Sequence, residues 1–236
     1  MCTVTIVPLA DGYRLMCNRD ERYSRPEALP PRRVSIGGHE TTMPIDPQGG
    51  GSWIAVADSG LSVAMLNRMP LRAPAGDVTL RSRGEIVASL VSSRGLEELV
   101  AALERIDPAA YRTFQLVAVA GQEVVAATSD GARIDIVTRE LQRPVMFTSS
   151  SLGDSSAERM RAPLFQAMVV HADDQLAGQR AFHEHRWPRC GAFSVVMCRA
   201  DARTVSRSTI DVRGGTSTFD YEPLGPDAPC LPSPSR

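Results

Sequence analysis

The first 22 residues have the pattern of a tight β-hairpin. Residues 3–7 alternate hydroxyl and branched apolar side chains, which is typical of a strand, and residues 13–17 form a second candidate strand. Between them, the Asp-Gly pair at 11–12 favours a tight turn. Antiparallel pairing across this turn places Cys2 opposite a residue of segment 18–21. The sequence therefore predicts that the two ends of the hairpin lie side by side.

Cys2 is the residue of this hairpin with the clearest potential for chemistry. Removal of the initiator methionine is favoured when the next residue is small, and it would leave Cys2 with a thiol and a free α-amine. The amine can then serve as the base for its own thiol. An α-amine titrates near pH ~8 and a thiol near ~8.5, so neither needs deep burial to act at physiological pH. The ordinary alternative is a cysteine that stands second by accident.

The polar segment opposite Cys2 supplies charges of both signs. The guanidinium of Arg19 would favour the thiolate, and the carboxylate of Asp20 could hold or orient the amine. The segment consists of Asn18, Arg19, Asp20 and Glu21, and Arg25 follows shortly after. A solvated strand end is the ordinary alternative. The density of charge beside a candidate nucleophile favours a catalytic site.

Several short blocks of the chain resemble the NRDE family, also called the transport and Golgi organisation protein two family. The blocks are Met1-Cys2, Asn18-Arg19-Asp20-Glu21, Gly50-Gly51-Ser52-Trp53-Ile54, Ala64-Met65-Leu66-Asn67, Ser82-Arg83-Gly84-Glu85 and Ala202-Arg203-Thr204-Val205-Ser206. That family in turn resembles the N-terminal-nucleophile hydrolases of the choloylglycine hydrolase and penicillin V acylase type. Those enzymes cleave non-peptide amides with an exposed N-terminal cysteine.

The order of predicted elements indicates a layered α+β fold. Further strands are predicted at 52–58, 61–67, 113–120, 123–128, 133–141, 146–149, 192–198, 204–211 and 216–222, and helices at 83–91, 96–106 and 155–172. Several layered folds fit this order. The family resemblance selects a four-layer αββα sandwich of two antiparallel sheets flanked by helices. One domain is expected over 1–222, followed by a proline-rich, disordered tail at 223–236.

The resemblance also implies further site residues. Asn67 follows a predicted strand and matches an asparagine that helps to form the oxyanion hole of the bile-salt hydrolases, where hydrogen-bond donors meet the developing charge. A second asparagine of those enzymes corresponds to a serine run here, so Ser149 and Ser150 become candidate hydroxyl donors. Arg159 resembles an arginine near the nucleophile. Without the resemblance, Asn67 could equally well be a turn residue. The ordinary alternative for Arg159 is an exposed charge on a helix.

Composition and patterning limit the possible partners and the cell compartment. The net charge is −1, which gives no electrostatic reason to expect nucleic acid as a partner. No apolar run reaches transmembrane length and no secretory signal is present. The five cysteines have no regular spacing, which is typical of reduced thiols. A cytoplasmic protein is therefore expected, and the oligomeric state leaves no signature.

No cofactor is predicted. His183 and His185 lie near Cys190, but they lack a well-spaced third ligand for a metal. The glycine run at 49–51 lacks the lysine and the strand-to-helix setting of a phosphate loop.

Three functions fit these observations. The first is an N-terminal cysteine amidohydrolase that acts on a non-peptide linear amide or a related acyl compound. The second, suggested by the family resemblance, is a non-catalytic carrier of haem or of lipid or acyl ligands on the same fold. The third is a redox sensor built on Cys2 and Cys17, which the hairpin brings close together.

Overall fold

Two antiparallel sheets packed face to face form the centre of the molecule. The computed structural model describes residues 2–69 and 80–225. The strands are β1 (Cys2–Leu9), β2 (Gly12–Arg22), β3 (Leu29–Ile36), β4 (His39–Ile45), β5 (Ile54–Ala57), β6 (Ser62–Asn67), β7 (Phe114–Ala120), β8 (Glu123–Ser129), β9 (Ile134–Glu140), β10 (Val145–Thr148), β11 (Ala202–Arg213) and β12 (Thr216–Pro223). The helices are α1 (Gly84–Leu90), α2 (Leu96–Leu103), α3 (Asp154–Phe165) and α4 (Gln175–Glu184).

The smaller sheet has the strand order β10-β1-β2-β11-β12, and the larger sheet runs β3 to β9 in sequence order. Apolar side chains such as Val4 and Ile54 fill the layer between the sheets. On the outer face of the larger sheet, Leu116 packs with Leu90 and the other apolar residues of α1 and α2. On the outer face of the smaller sheet, α3 and α4 bury Phe182. The predicted αββα sandwich is confirmed.

The opening hairpin forms as the sequence predicts. Strands β1 and β2 pair from Leu9 opposite Gly12 to Cys2 opposite Arg19, with two residues in the turn. Since side chains alternate between the faces of a strand, Cys2 faces the second sheet, whereas Thr3 faces the helices. The segment 18–21 thus lies within strand β2 and beside the start of β1.

The start of α1 packs against the loop before β5. A Cβ atom on Gly51 would lie 2.3 Å from the main-chain carbon of Gly84, so only glycine permits this approach. The main-chain N–H of Ser52 donates a hydrogen bond to the carbonyl of Gly84 at 3.2 Å. Ser82 makes no side-chain cap, and the carboxylate of Glu85 accepts from the Tyr111 hydroxyl at 2.6 Å. The loop and the helix therefore meet backbone to backbone.

The C-terminal boundary stays a prediction. Strand β12 ends at Pro223, and the main-chain N–H of Leu224 still donates to the carbonyl of Val205 at 2.9 Å. The rest of the predicted tail, 226–236, lies outside the described residues. Within the described ranges, no helix is long and apolar enough to cross a membrane.

Candidate functional site

Cys2 lies directly opposite Arg19 in the β1–β2 pair. Opposed residues of an antiparallel pair share one face, so both side chains point towards the larger sheet. The thiol of Cys17, two residues before Arg19, lies on the same face of the hairpin as Cys2. Cys2 and Cys17 are both free and both buried. The hairpin therefore brings a pair of thiols and a guanidinium together.

The environment selects Cys2 as the sulfur that ionises. A hydrogen bond from the Cys17 thiol lowers the pKa of Cys2; burial and the charge of Asp20 oppose this shift, and the charge of Arg19 adds to it. The same hydrogen bond, together with burial, raises the pKa of Cys17. Because the thiolate is the nucleophilic form, Cys2 is the better nucleophile of the two.

Strand β10 positions the main-chain nitrogen of Cys2. This nitrogen donates a hydrogen bond to the Ser149 hydroxyl at 3.2 Å, and the Ser149 N–H donates back to the Cys2 carbonyl at 3.0 Å. Ser150 has a different environment, since its N–H donates to the carboxylate of Asp154 at 2.8 Å in the turn that enters α3. The structure thus brings Ser149 to the nucleophile and leaves Ser150 in a turn.

Cys2 lines a pocket with a volume of about 270 Å³. The predicted site residues along its wall are Cys2, Arg19, Asp20, Glu21, Arg25 and Asn67. Asn67 is the last residue of β6 and pairs with Phe114. The large apolar side chains of the described wall are Trp53 and Met65, so the pocket is mainly polar.

Asp46, which sequence reasoning missed, joins the two predicted arginines of the site. Its Oδ2 accepts from Arg25 Nε at 2.9 Å and from Arg19 Nη2 at 3.3 Å. Glu21 lies 3.6 Å from both guanidinium groups. Burial would raise the pKa of Asp46, but the hydrogen bond and charge of Arg25 outweigh it and hold that pKa below its usual value. Asp46 belongs to a turn after β4, and no local sequence pattern marks it.

Trp53, which the sequence marked only as part of a block that resembles the NRDE family, also contacts the site. The guanidinium carbon of Arg19 lies 4.1 Å from the centre of the Trp53 ring. A cation over an indole face is attracted by about 0.5–2 kcal/mol. Arg19 is therefore held between a carboxylate and an aromatic ring.

Asn18 points away from the pocket. It is fully buried, and its Nδ2 donates to the carbonyls of His183 at 2.9 Å and Val195 at 3.0 Å. Because neighbouring strand residues face opposite sides, Asn18 cannot share the face of Arg19. The structure therefore gives Asn18 a structural contact with α4 and places it outside the pocket.

Asp20 lines the pocket, and its carboxylate is held by strand β11. Oδ1 accepts a hydrogen bond from the Thr204 hydroxyl at 2.6 Å. Burial raises the pKa of Asp20, and the charge of Arg161 opposes that shift. This carboxylate is therefore fixed in position close to the start of β1.

The structure corrects the choice of arginine on α3. Arg159 is exposed and donates only to the Ser156 hydroxyl of its own helix, at 3.0 Å. Arg161 is 1% exposed, and its Nη1 donates to the Thr3 hydroxyl at 2.8 Å. Two residues correspond to about 200° of helix rotation, so the two side chains occupy opposite faces. The arginine nearer the nucleophile is Arg161.

A metal site is not formed around the two histidines. Among the described residues, no group of three or more metal-binding side chains occurs. His183 is instead enclosed, with Nε2 at 2.8 Å from the Thr5 hydroxyl and Nδ1 at 3.0 Å from Asn18 Oδ1. The expectation of five reduced thiols is wrong for Cys198, which is disulfide-bonded.

Three arginines on the pocket wall were also missed: Arg81, Arg83 and Arg112. Arg83 belongs to one of the blocks that resemble the NRDE family, but it was assigned only to the predicted helix at 83–91. The resemblance was therefore a usable signal for Arg83, whereas nothing in the local sequence marks Arg112.

The fold is similar to that of three solved structures. An N-acylethanolamine-hydrolyzing acid amidase ortholog of Caenorhabditis elegans matches with a TM-score of 0.60 and 10% identity, over 89% of this chain and 92% of that one. A conjugated bile acid hydrolase variant of Clostridium perfringens gives 0.56 and 11%, over 94% and 92%. Penicillin V acylase of Agrobacterium tumefaciens gives 0.53 and 10%, over 95% and 86%. At these identities the similarity establishes the fold alone: that of the N-terminal-nucleophile hydrolases.

The chain belongs to the Transport and Golgi organisation 2 family, whose model matches residues 1–182. This is the family that the sequence resembles under its NRDE label. A comparison with curated proteins found no match.

Proposed function

We propose that the chain is an N-terminal cysteine amidohydrolase that cleaves a non-peptide linear amide or a related acyl compound. The observation that carries this proposal is the position of Cys2, which begins strand β1 directly opposite Arg19 and lines a polar pocket. Removal of Met1 is part of the proposal. So is a cytoplasmic location, which stays a prediction from the sequence.

The proposed reaction runs through an acyl-enzyme. The α-amine of Cys2 takes the thiol proton, and the thiolate attacks the amide carbonyl to form a carbon–sulfur bond. The carbon–nitrogen bond then breaks as the leaving amine takes that proton. Water attacks the thioester, releases the carboxylic acid and restores the thiol. Each step conserves charge without a further reactant.

The described residues divide this work between them. Asn67 lines the pocket and would donate its side-chain N–H to the oxyanion, a contact of a kind worth about 3 kcal/mol. Arg19 favours the thiolate. Ser149 orients the Cys2 nitrogen, and Asp20 supplies a fixed negative charge near it.

Arg161 is proposed as a positioning residue in place of Arg159. Its Nη1 donates to the hydroxyls of Thr3 at 2.8 Å and Thr148 at 2.5 Å. These threonines are the neighbours of Cys2 and Ser149 in the two paired strands. Arg161 therefore holds β1 against β10 at the point where the nucleophile begins.

No specific observation favours the carrier of haem or lipid. The pocket volume of about 270 Å³ lies below the 300–1,000 Å³ typical of ligand pockets. Its described wall offers two large apolar side chains, Trp53 and Met65, among many polar ones. A small polar substrate suits this wall better than a large hydrophobic ligand.

The experiment compares the wild-type chain with Cys2→Ala and with Cys190→Ala, whose thiol is exposed and does not line the pocket. Intact mass first establishes whether Met1 is removed. The test substrates are N-butanoylethanolamine and N-butanoylglycine, small relatives of the amides named for the structural neighbours. Amine release and an acyl adduct on Cys2 are measured.

We expect turnover and the adduct in the wild type and in Cys190→Ala. Cys2→Ala should fold with an unchanged circular dichroism spectrum and release no amine. Full turnover by Cys2→Ala, or retention of Met1 in active protein, would contradict the proposal.

A further inference from the structure

The pocket wall contains two groups of arginines. The first group, Arg19 and Arg25, is neutralised by Asp46 and Glu21. The second group comes from the start of α1 and the residues just before β7, and it consists of Arg81, Arg83 and Arg112. This second group has no counterpart in the mechanism above.

Within the second group, one arginine is paired and two are not. Arg81 Nε lies 2.6 Å from the carboxylate of Glu85. The ion pairs found across residues 2–69 and 80–225 leave Arg83 and Arg112 without a carboxylate partner. Two positive charges on the wall are therefore not balanced by the described part of the protein.

Arg83 is held in place by a neutral group. Arg83 Nη1 donates to the main-chain carbonyl of Thr113 at 2.8 Å. Arg112 is the residue before Thr113, so this hydrogen bond holds Arg83 near Arg112. Burial, and next the nearby charge of Arg112, lower the pKa of Arg83 to about 10. The Arg83 guanidinium is still charged at neutral pH. A bound anion would relieve the repulsion between Arg83 and Arg112, and guanidinium groups suit the planar, bidentate geometry of oxyanions.

Arg83 is within electrostatic reach of the nucleophile, and Arg112 lines the same pocket. The charge of Cys2 and that of Glu21 both act on Arg83, in the direction that favours its charged form. An anion bound at Arg83 and Arg112 would therefore lie in the same small pocket as the thiol. The rest of such a molecule would have to extend towards Cys2.

We propose that the substrate carries an oxyanion, a carboxylate or a phosphate, and that Arg83 and Arg112 bind this group while the amide carbonyl meets Cys2. The reaction in this statement rests on the proposed function, whereas the anion site does not. The polar wall and the volume of about 270 Å³ suit a small charged amide.

The test measures binding to Cys2→Ala protein, so that hydrolysis cannot interfere. Calorimetry compares N-butanoylglycine with the neutral N-butanoylglycinamide. A second pair compares N-butanoyl-O-phosphoethanolamine with N-butanoylethanolamine. The two pairs distinguish a carboxylate from a phosphate.

We expect the anionic member of at least one pair to bind about 10-fold more tightly, because a charged hydrogen bond is stronger than a neutral one. The preference should weaken in high salt. Adding Arg83→Gln and Arg112→Gln should abolish it, whereas Arg33→Gln, which removes an exposed arginine paired with Glu40, should retain it. If Arg83→Gln disturbs folding, Arg112→Gln alone is tested, because Arg112 is exposed. This single substitution should weaken the preference for the anionic ligand.

Equal binding within both pairs would overturn the inference, as would a preference that survives both glutamine substitutions. If the anion preference is found but the wild type releases no amine, the anion site stands and the proposed hydrolase fails. If the wild type cleaves neutral and anionic amides equally well, the hydrolase stands and the anion site fails.

Discussion

Cys2 and Arg19 are directly opposed residues of β1 and β2, and Arg19 is clamped between Asp46 and the Trp53 ring. The guanidinium is thereby held beside the sulfur without an ion pair to it. A mobile arginine would lose this geometry to solvent, since ordering a long side chain costs up to about 2 kcal/mol of entropy. The contacts with Asp46 and Trp53 therefore hold the positive charge of Arg19 in a fixed position beside Cys2.

Replacing Cys17 by alanine should move the ionisation of Cys2 to higher pH. The substitution removes the hydrogen bond that most lowers the pKa of Cys2, so less thiolate is present at neutral pH. The pH dependence of Cys2 alkylation by iodoacetamide, read by mass on the N-terminal peptide, measures this. Cys17→Ser keeps an O–H donor and should lie closer to the wild type. Superimposable profiles for the wild type and Cys17→Ala would count against the proposed thiol pair.

Replacing Asp46 by asparagine should destabilise the protein and slow turnover. Arg19 and Arg25 lose their shared carboxylate and keep only Glu21, at 3.6 Å from each. Because Arg19 is buried, the loss should cost about 1–3 kcal/mol. Urea unfolding gives the free energy change. Glu40→Gln breaks only the exposed pair with Arg33 and should change stability by less than about 0.5 kcal/mol. Equal effects of the two substitutions would contradict the clamp.

Arg161→Ala and Arg159→Ala should differ sharply. Arg161 is 1% exposed, and it donates to Thr3, Thr148 and the carbonyl of Ser194. Its loss leaves buried acceptors unsatisfied, for an expected cost of about 2–4 kcal/mol. Arg159→Ala should remain within about 0.5 kcal/mol of the wild type. Thermal unfolding and the rate of amine release provide the measurements, and a silent Arg161→Ala would refute its positioning role.

Stability should fall in mild acid because of His183. Burial, and then the charge of Arg207, lower the pKa of His183 to about 3 in the folded state, against ~6.5 for an unfolded histidine. The neutral ring accordingly contributes its full stability above pH ~6.5, and this is lost at about 1.4 kcal/mol per unit as the pH falls towards the folded pKa.

Denaturation at a series of pH values tests this linkage. His183→Asn should flatten the slope between pH ~6.5 and the folded pKa. His171→Gln, which replaces an exposed histidine, should retain it. If the unfolding free energy of His183→Asn depends on pH as steeply as that of the wild type, other groups cause the acid sensitivity.

Sequence patterns predicted elements well where the pattern is local and regular. They failed for β3 and β4, which were not predicted, because Pro30, Pro31 and the following arginines mask the strand alternation of Leu29–Ile36. They also failed at 192–198, where an apolar run predicted a strand and Gly191–Phe193 form a 3-10 turn. Short apolar runs do not distinguish a strand from other buried segments.

The chain alone placed Cys2 opposite a residue of segment 18–21, because both strands of the hairpin lie within 22 residues, and the structure shows that this residue is Arg19. The other walls of the pocket could not. Asp46 and Arg83 reach it from loops that are distant in sequence, through the contact of Gly51 with Gly84. Such contacts depend on how two sheets and a helix pack together, and local sequence patterns do not predict that packing.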